Sequence, residues 1–319
     1  MRFPSTLRAA ATSLALFACG GDDDASSSMD ASTGLTPHDA GVDAGGLMPV
    51  ALRFRAKLGS EELVCGQRYT GLGSTGVAGT PRDFRFFVHD VRLLDARGAQ
   101  VPVQLDERPP FQSAEVALLD FTEARGSCTN GAPESNTVLH GKVPAGTYTG
   151  LAFSLGVPPA LNHADPALSP PPLEAPGVHW TWRQGYRFVL AELDVSEGVT
   201  ARAMDGGVAI PDAGSAAGGE QGVGVPGLVF AHIGSVGCSG SPGAYLCSRA
   251  NRSQIVLADF DPAKSTVTAD LAAVFANEDL SGVVQCHGDD AACRSALSAL
   301  GIDPVSGAPA ATQRVFRSE

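Results

Sequence analysis

The chain is 319 residues long, room for one large or two ordinary domains, and its 44% hydrophobic and 18% charged residues exclude a disordered chain and a coiled coil. Acidic residues outnumber basic ones 34 to 22, and the net charge of −12 argues against any nucleic-acid partner. Thirty-eight glycines and 22 prolines with so few charges fit a mainly β chain with many turns and long loops.

The N-terminus reads as an export signal over residues 1–18. Arg2 and Arg8 precede a short apolar run, Ala9 to Phe17, which ends in Leu16-Phe17-Ala18-Cys19. The run resembles a bacterial lipobox, so cleavage would leave Cys19 as the lipidated first residue. A buried helix is a poor reading, because Gly20, Gly21 and a run of aspartates follow at once. Residues 19–48 hold Gly, Asp, Ala and Ser with few apolar side chains. They cannot offset their ordering entropy and read as a flexible tether. No later apolar run reaches the ~18 residues of a spanning helix. The expected location is the periplasm or the outer membrane, with membrane contact only through the lipid on Cys19.

A single β domain is expected over residues 49–319. Strand signals recur from residue 50 to about 260. Phe84 to Leu94 is aromatic and β-branched, apolar on both alternating faces, with His89 between Phe87 and Val91 on its own face. Thr147 to Leu155 follows the turn Pro144-Ala145-Gly146 and places Thr149, Leu151, Phe153 and Leu155 on one side. Gly185 to Val195 sets Tyr186, Phe188 and Leu190 against Val189, Ala191 and Leu193. Leu228 to Ile233 and Ile255 to Phe260 complete the set. So many strands without alternating helices predict an antiparallel β-sandwich or barrel.

One or two short C-terminal helices follow. Thr268 supplies a hydroxyl cap for the first, whose Leu271, Val274 and Phe275 share a face. Asp289 and Asp290 suit the start of the second, and Gly301 its end. Three irregular inserts stand out: a polar loop at 129–137, a Pro-rich stretch at 156–178 and a Gly/Ala stretch at 198–225.

Apart from Cys19, six cysteines remain, an even number in an exported chain, where disulfides persist. Six cysteines allow fifteen pairings. Proximity favours Cys238–Cys247 and Cys286–Cys293, which leaves Cys65–Cys128 as a long-range link. Structural zinc is disfavoured because no pair has the C-x₂₋₄-C spacing.

No strong catalytic motif is present, and the chain is not expected to be an enzyme. Ser235 lacks the spacing of a nucleophile elbow, and neither H-E-x-x-H nor a Walker loop occurs. The pair Cys286-His287 reads as a disulfide neighbour rather than a thiol–imidazole pair. Four histidines draw notice: His89 in the aromatic strand, His163 in a turn, His179 before Trp180-Thr181-Trp182, and His232 in the strand leading to Cys238. A single such histidine is more often a hydrogen-bonded core residue than a ligand. Together they fit copper or zinc, for which neutral imidazole is a common ligand. Trp180 and Trp182, two apart, read either as core or as a sugar-stacking platform, which would make the chain an adhesion or carbohydrate-binding module.

Taken in order, the segments resemble the periplasmic copper-binding MbnP-like proteins, the metallo-mystery-pair four-Cys-motif family. They are Cys65-Gly-Gln-Arg-Tyr69, Phe84-Arg-Phe-Phe-Val-His-Asp-Val91, Val116-Ala-Leu-Leu-Asp-Phe121 with Gly126-Ser-Cys128, and Leu155-Gly-Val-Pro-Pro159. They continue with Leu161-Asn-His163, Trp180-Thr-Trp182, Gly185-Tyr-Arg-Phe188, His232-Ile-Gly-Ser235 before Cys238, Asn251-Arg252 after Cys247, and Asp259-Phe-Asp261. The resemblance implies a secreted, mostly β protein that binds one copper ion as Cu(I). It also implies a dihaem MauG/MbnH-like peroxidase as partner, oxidising a tryptophan to kynurenine. Carried over, His89, His163 and His232 become the metal ligands, and Trp180 or Trp182 the modified residue. Two departures are visible: Val178-His179 stands where Met-Phe is expected, and Val229 or Phe230 where many relatives have a further tryptophan.

Overall fold

Two sheets face each other across one core in the computed structural model, which describes residues 46–181, 184–196, 227–241, 244–288 and 290–319. The first sheet runs Phe316–Ser318, Thr266–Asp270, Leu47–Leu58, Val138–Pro144, Gln104–Leu105, with Glu61–Glu62 beside the third of these. The second runs Ser253–Leu257, Tyr148–Leu155, Val77–Asp95, Val189–Asp194, Leu228–Ile233, Gln285–Cys286. Three shorter strands, Tyr69–Leu72, Gln100–Pro102 and Val116–Asp120, pair with the long strand Val77–Asp95. Period-two alternation explains the packing, since every second residue turns to the shared core. Phe54 and Phe316 of the first sheet meet Phe86 and Phe153 of the second, with ring centroids 5.2 to 6.4 Å apart.

The expected mainly β sandwich is what the chain forms, with two differences in pairing. Leu47–Leu58 runs parallel to Thr266–Asp270, and Leu228–Ile233 runs parallel to Gln285–Cys286. The first strand also starts at Leu47, inside the expected tether, because Leu47 and Met48 pair with Pro144 and Val143. Cys19 and the rest of residues 1–45 lie outside the described residues, as does the 198–225 insert.

Thr268 caps no helix. It is a buried strand residue, and its hydroxyl accepts from Arg55 Nε at 2.9 Å. Asp270 caps the helix Leu271–Phe275 instead, its carboxylate accepting from the Ala272 amide. The second helix, Arg294–Ala299, is entered through a 3₁₀ turn at Ala291–Cys293, and Gly301 follows it at a φ of 75°. The disulfides are Cys65–Cys128, Cys238–Cys247 and Cys286–Cys293, the pairing that proximity favoured.

The second sheet is split at Phe87 of the long strand. Tyr148–Leu155 and Val189–Asp194 both pair with the same side of the long strand, end to end. They meet at Phe87, which donates its amide to Phe188 O at 2.9 Å and accepts from the Gly156 amide at 2.8 Å. The chain thus leaves and re-enters the sheet at one point, and the described residues 157–181 and 184–187 lie over its outer face. There Val157, Leu173, Val178, Tyr186 and Phe188 pack with Phe87, Val116, Leu118 and Leu190 in a second apolar cluster.

Candidate functional site

The outer face of the split sheet carries charge as well as apolar side chains. Asp83, Arg85, Asp120, Glu192 and His232 are all buried there. Arg85 grips Asp83 with two hydrogen bonds, 2.8 Å from Nε and 2.5 Å from Nη2, and donates Nη1 to Pro176 O at 2.8 Å. One guanidinium therefore neutralises a buried carboxylate and pins the covering excursion. Burial still pushes the Asp83 carboxyl up to about 7 against the pull of Arg85.

His232 is the best-defined imidazole of this face. It is 7% exposed and lies opposite Leu190, one strand from Glu192. Its Nε2 donates to Glu192 Oε1 at 2.7 Å, while its Nδ1 is buried with no hydrogen-bond partner. Burial lowers the His232 pKa more than Glu192 raises it, so the ring is neutral. Burial, the largest single influence, would raise the Glu192 carboxyl, but the His232 hydrogen bond together with the charges of His232, Arg82 and Arg187 outweighs it and the carboxylate stays ionised. A carboxylate that fixes one ring nitrogen and aims the other inward is a common support for a metal-ligating histidine. Phe230 stacks on the ring at 4.5 Å, and the exposed His287 ring lies 6.2 Å away.

His89 is half-buried near the split, its Nδ1 hydrogen-bonded to Gly156 O at 2.8 Å. That bond puts the proton on Nδ1 and leaves the Nε2 lone pair as the donor. Burial lowers its pKa also. Its face differs from expectation. Phe87 shares it, but Val91 points into the core between the sheets, because Asp90 adopts a φ of 47° and shifts the alternation by one residue.

His163 sits in the covering excursion. Its Nε2 lies 3.1 Å from Asn162 Nδ2 and 3.3 Å from Cys247 Sγ, and its ring packs against Tyr245 at 4.7 Å. The structure does not gather His89, His163 and His232 into one coordination sphere. Among the described residues, the one group of three donor atoms within 4.8 Å is His163, Cys238 and Cys247, and its two sulfurs are bonded to each other. The split explains the separation: His89 is anchored at one edge of the excursion, His163 within it, and His232 a further strand away.

His179 is a further imidazole of the same region. It packs on Tyr186 at 4.8 Å, its Nε2 is buried without a partner, and burial lowers its pKa. Trp180, next to it, is half-buried. Its ring lies 5.6 Å from the Arg187 guanidinium carbon and against Gly234, where an added Cβ would come within 2.7 Å of Trp180 Cζ3. A ring closed in on an arginine and a glycine is not an open stacking platform for sugars. Trp182 lies outside the described residues.

The family model for MbnP matches residues 48–288. This chain belongs to the MbnP family. Among solved structures it is similar to MbnP from Methylosinus trichosporium, at 29% identity and a TM-score of 0.67, over 85% of this chain and 98% of that one. No curated protein matches.

The MbnP match holds every imidazole described above, whereas residues after 288 supply Cys293 and the edge strand Phe316–Ser318. Arg85 and Glu192 escaped the sequence reading. A signal for both exists, a lone charge in an otherwise apolar strand run, Phe84-Arg85-Phe86 and Leu190-Ala191-Glu192-Leu193. His179 was visible beside the tryptophans, but nothing in sequence shows that its Nε2 is buried and bare.

Proposed function

We propose that this MbnP-family protein is an exported copper-binding lipoprotein for acquisition or storage, anchored through Cys19, and not itself an enzyme. It holds one copper ion as Cu(I) at the neutral imidazole of His232, and His89 and His163, which lie outside that coordination sphere in this structure, are the further ligands that the family resemblance implies. A dihaem MauG/MbnH-like peroxidase is its partner and oxidises Trp180 or Trp182 to kynurenine. One observation carries the reading: the buried, partnerless Nδ1 of His232, whose opposite nitrogen is fixed by Glu192. Leaving such an acceptor bare costs about 1–3 kcal/mol, which an ion at that nitrogen would recover. Neutral imidazole suits copper, and burial keeps His89 and His232 neutral into mildly acidic conditions.

The test is copper analysis and intact mass of the exported protein, expressed with and without the dihaem partner. One copper per chain is expected, lost in His232→Ala and reduced in His89→Ala and His163→Ala. The partner should add the mass change of kynurenine to a peptide containing Trp180 or Trp182. Copper content unaffected by His232→Ala would refute the site, and unmodified tryptophans in the co-expressed protein would refute the partner reaction.

A further inference from the structure

The disulfide Cys238–Cys247 differs from the others in its surroundings. Cys286 and Cys293 are both fully buried, and Cys128 is fully buried opposite a half-buried Cys65, whereas Cys238 and Cys247 are both half-buried. They lie on a hairpin, Val236–Ser239 with Leu246–Arg249, whose pairing is separate from both large sheets. The two cysteines face each other in register, so the strand pairing keeps their β-carbons adjacent whether or not the sulfurs are joined. The bridge spans nine residues, against 63 for Cys65–Cys128 and seven for Cys286–Cys293, so opening it frees less chain entropy than opening the long-range link.

His163 stands against this pair. Its Nε2 is 3.3 Å from Cys247 Sγ, and the donor atoms of His163, Cys238 and Cys247 all lie within 4.8 Å of one another. Tyr245 packs on the ring, and Asn162 Nδ2 donates to the same Nε2, a bond that a metal ion at that nitrogen would replace. While the sulfurs are bonded to each other they are poor ligands, because the thiolate is the form that binds metal. Once reduced, the same atoms present two thiolates and an imidazole nitrogen, a donor set suited to Cu(I) and Zn(II).

We propose that Cys238, Cys247 and His163 form a redox-gated site for a soft metal ion, closed by the disulfide and opened by thiol–disulfide exchange with a dithiol reductant. One thiolate of the reductant attacks a sulfur of the bridge, breaking Cys238–Cys247 and forming a mixed disulfide. The second thiol of the reductant then displaces the remaining cysteine. Two electrons and two protons pass from the dithiol, which leaves as its own disulfide, to Cys238 and Cys247, which become thiols. Metal entry releases those two protons, and His163 adds a neutral nitrogen. The inference shares only His163 with the copper reading above and does not require the His232 site.

Graded dithiothreitol redox buffers, alkylation of free thiols and peptide mapping test the gate on the exported chain. Cu(I) uptake, measured by competition with a chromogenic chelator before and after reduction, tests the site. Cys238 and Cys247 should be labelled while Cys65–Cys128 and Cys286–Cys293 remain closed, and opening should add one Cu(I). That added ion should bind at least about tenfold more weakly in His163→Ala and be lost in the Cys238→Ser, Cys247→Ser double variant. His232→Ala should retain it, so failure of this site and failure of the copper reading give different patterns. Circular dichroism reports whether the variants fold, and the unmutated chain decides the matter by itself. A bridge that opens only together with the other two, or an opened chain that takes up no additional Cu(I), would overturn the proposal.

Discussion

On the long strand, Phe84, Phe86 and Val88 point into the core between the sheets, while Asp83, Arg85, Phe87 and His89 point outward beneath residues 157–181 and 184–187. The neighbouring strands repeat the division. Val189, Ala191 and Leu193 face in, with Val229, Ala231 and Ile233, whereas Leu190, Glu192 and His232 face out. Both faces are buried, yet only one is apolar throughout. Apolar burial is non-directional and tolerates repacking, so the inner face can be supplied by any well-filled alternation. Each buried charge of the outer face needs a named partner, which fixes geometry at a cost in stability. The buried His232 and the half-buried His89 are therefore found on the face that specifies positions, not on the one that supplies most of the burial.

Adjacent substitutions on the long strand give the largest test of this contrast. Phe86→Ala should lose about 3–5 kcal/mol in chemical denaturation, as a large core ring deleted from a closed interior. Arg85→Met should lose a similar amount, about 3–5 kcal/mol, because Asp83 is left buried without its partner. The double variant Asp83→Leu, Arg85→Met should regain most of that stability. Residues 157–187 should nonetheless become more sensitive to proteolysis, since the Arg85 bond to Pro176 O is gone. A double variant no more stable than Arg85→Met would show that the outer charges are the main support of the fold.

Gly234→Ala should have a smaller effect, about 1–3 kcal/mol, because its Cβ would meet Tyr186 O at 2.4 Å and the Trp180 ring at 2.7 Å. The shift of indole fluorescence checks that Trp180 is the group displaced. Glu192→Gln should cost less, about 1–2 kcal/mol, and lower copper affinity about 10–100-fold by releasing the His232 ring. Unchanged affinity in Glu192→Gln would separate the hydrogen bond from the metal site.

The smallest effect is on pH dependence, where the faces also differ. Burial sets the folded pKa of His89, His179 and His232 below the ordinary value. The stability they contribute is present above about pH 6.5 and is lost as pH falls through their lower folded values. Asp83 acts oppositely: its raised folded value near 7 stabilises at low pH, and that contribution fades as pH rises through 7. The two terms partly cancel in the unmutated chain. Removing one histidine exposes its sign, so His232→Gln should lose less stability than the unmutated chain between pH 7 and pH 5 in parallel denaturation series.

Much of the architecture was legible from local pattern. The alternation of Tyr186, Phe188 and Leu190 against Val189, Ala191 and Leu193 maps onto the two apolar clusters as read, because a period of two is a property of the strand itself. The disulfide pairing followed from proximity, and the family from the order of short segments. Pairings between distant strands were not legible: Thr266–Asp270 reads locally as a helix start because Asp270 does cap one, and only its parallel pairing with Leu47–Leu58 makes it a strand. The face of Val91 turned on one backbone angle at Asp90. Which imidazoles share a neighbourhood was decided by the split at Phe87, where Gly156 and Phe188 meet and residues 157–187 leave the sheet. Sequence determined which residues are histidines, cysteines and strand formers, since those are local properties. Only the tertiary structure decided that His163 rests on a disulfide and that His232 has a carboxylate behind it, because both contacts cross 40 or more residues of chain.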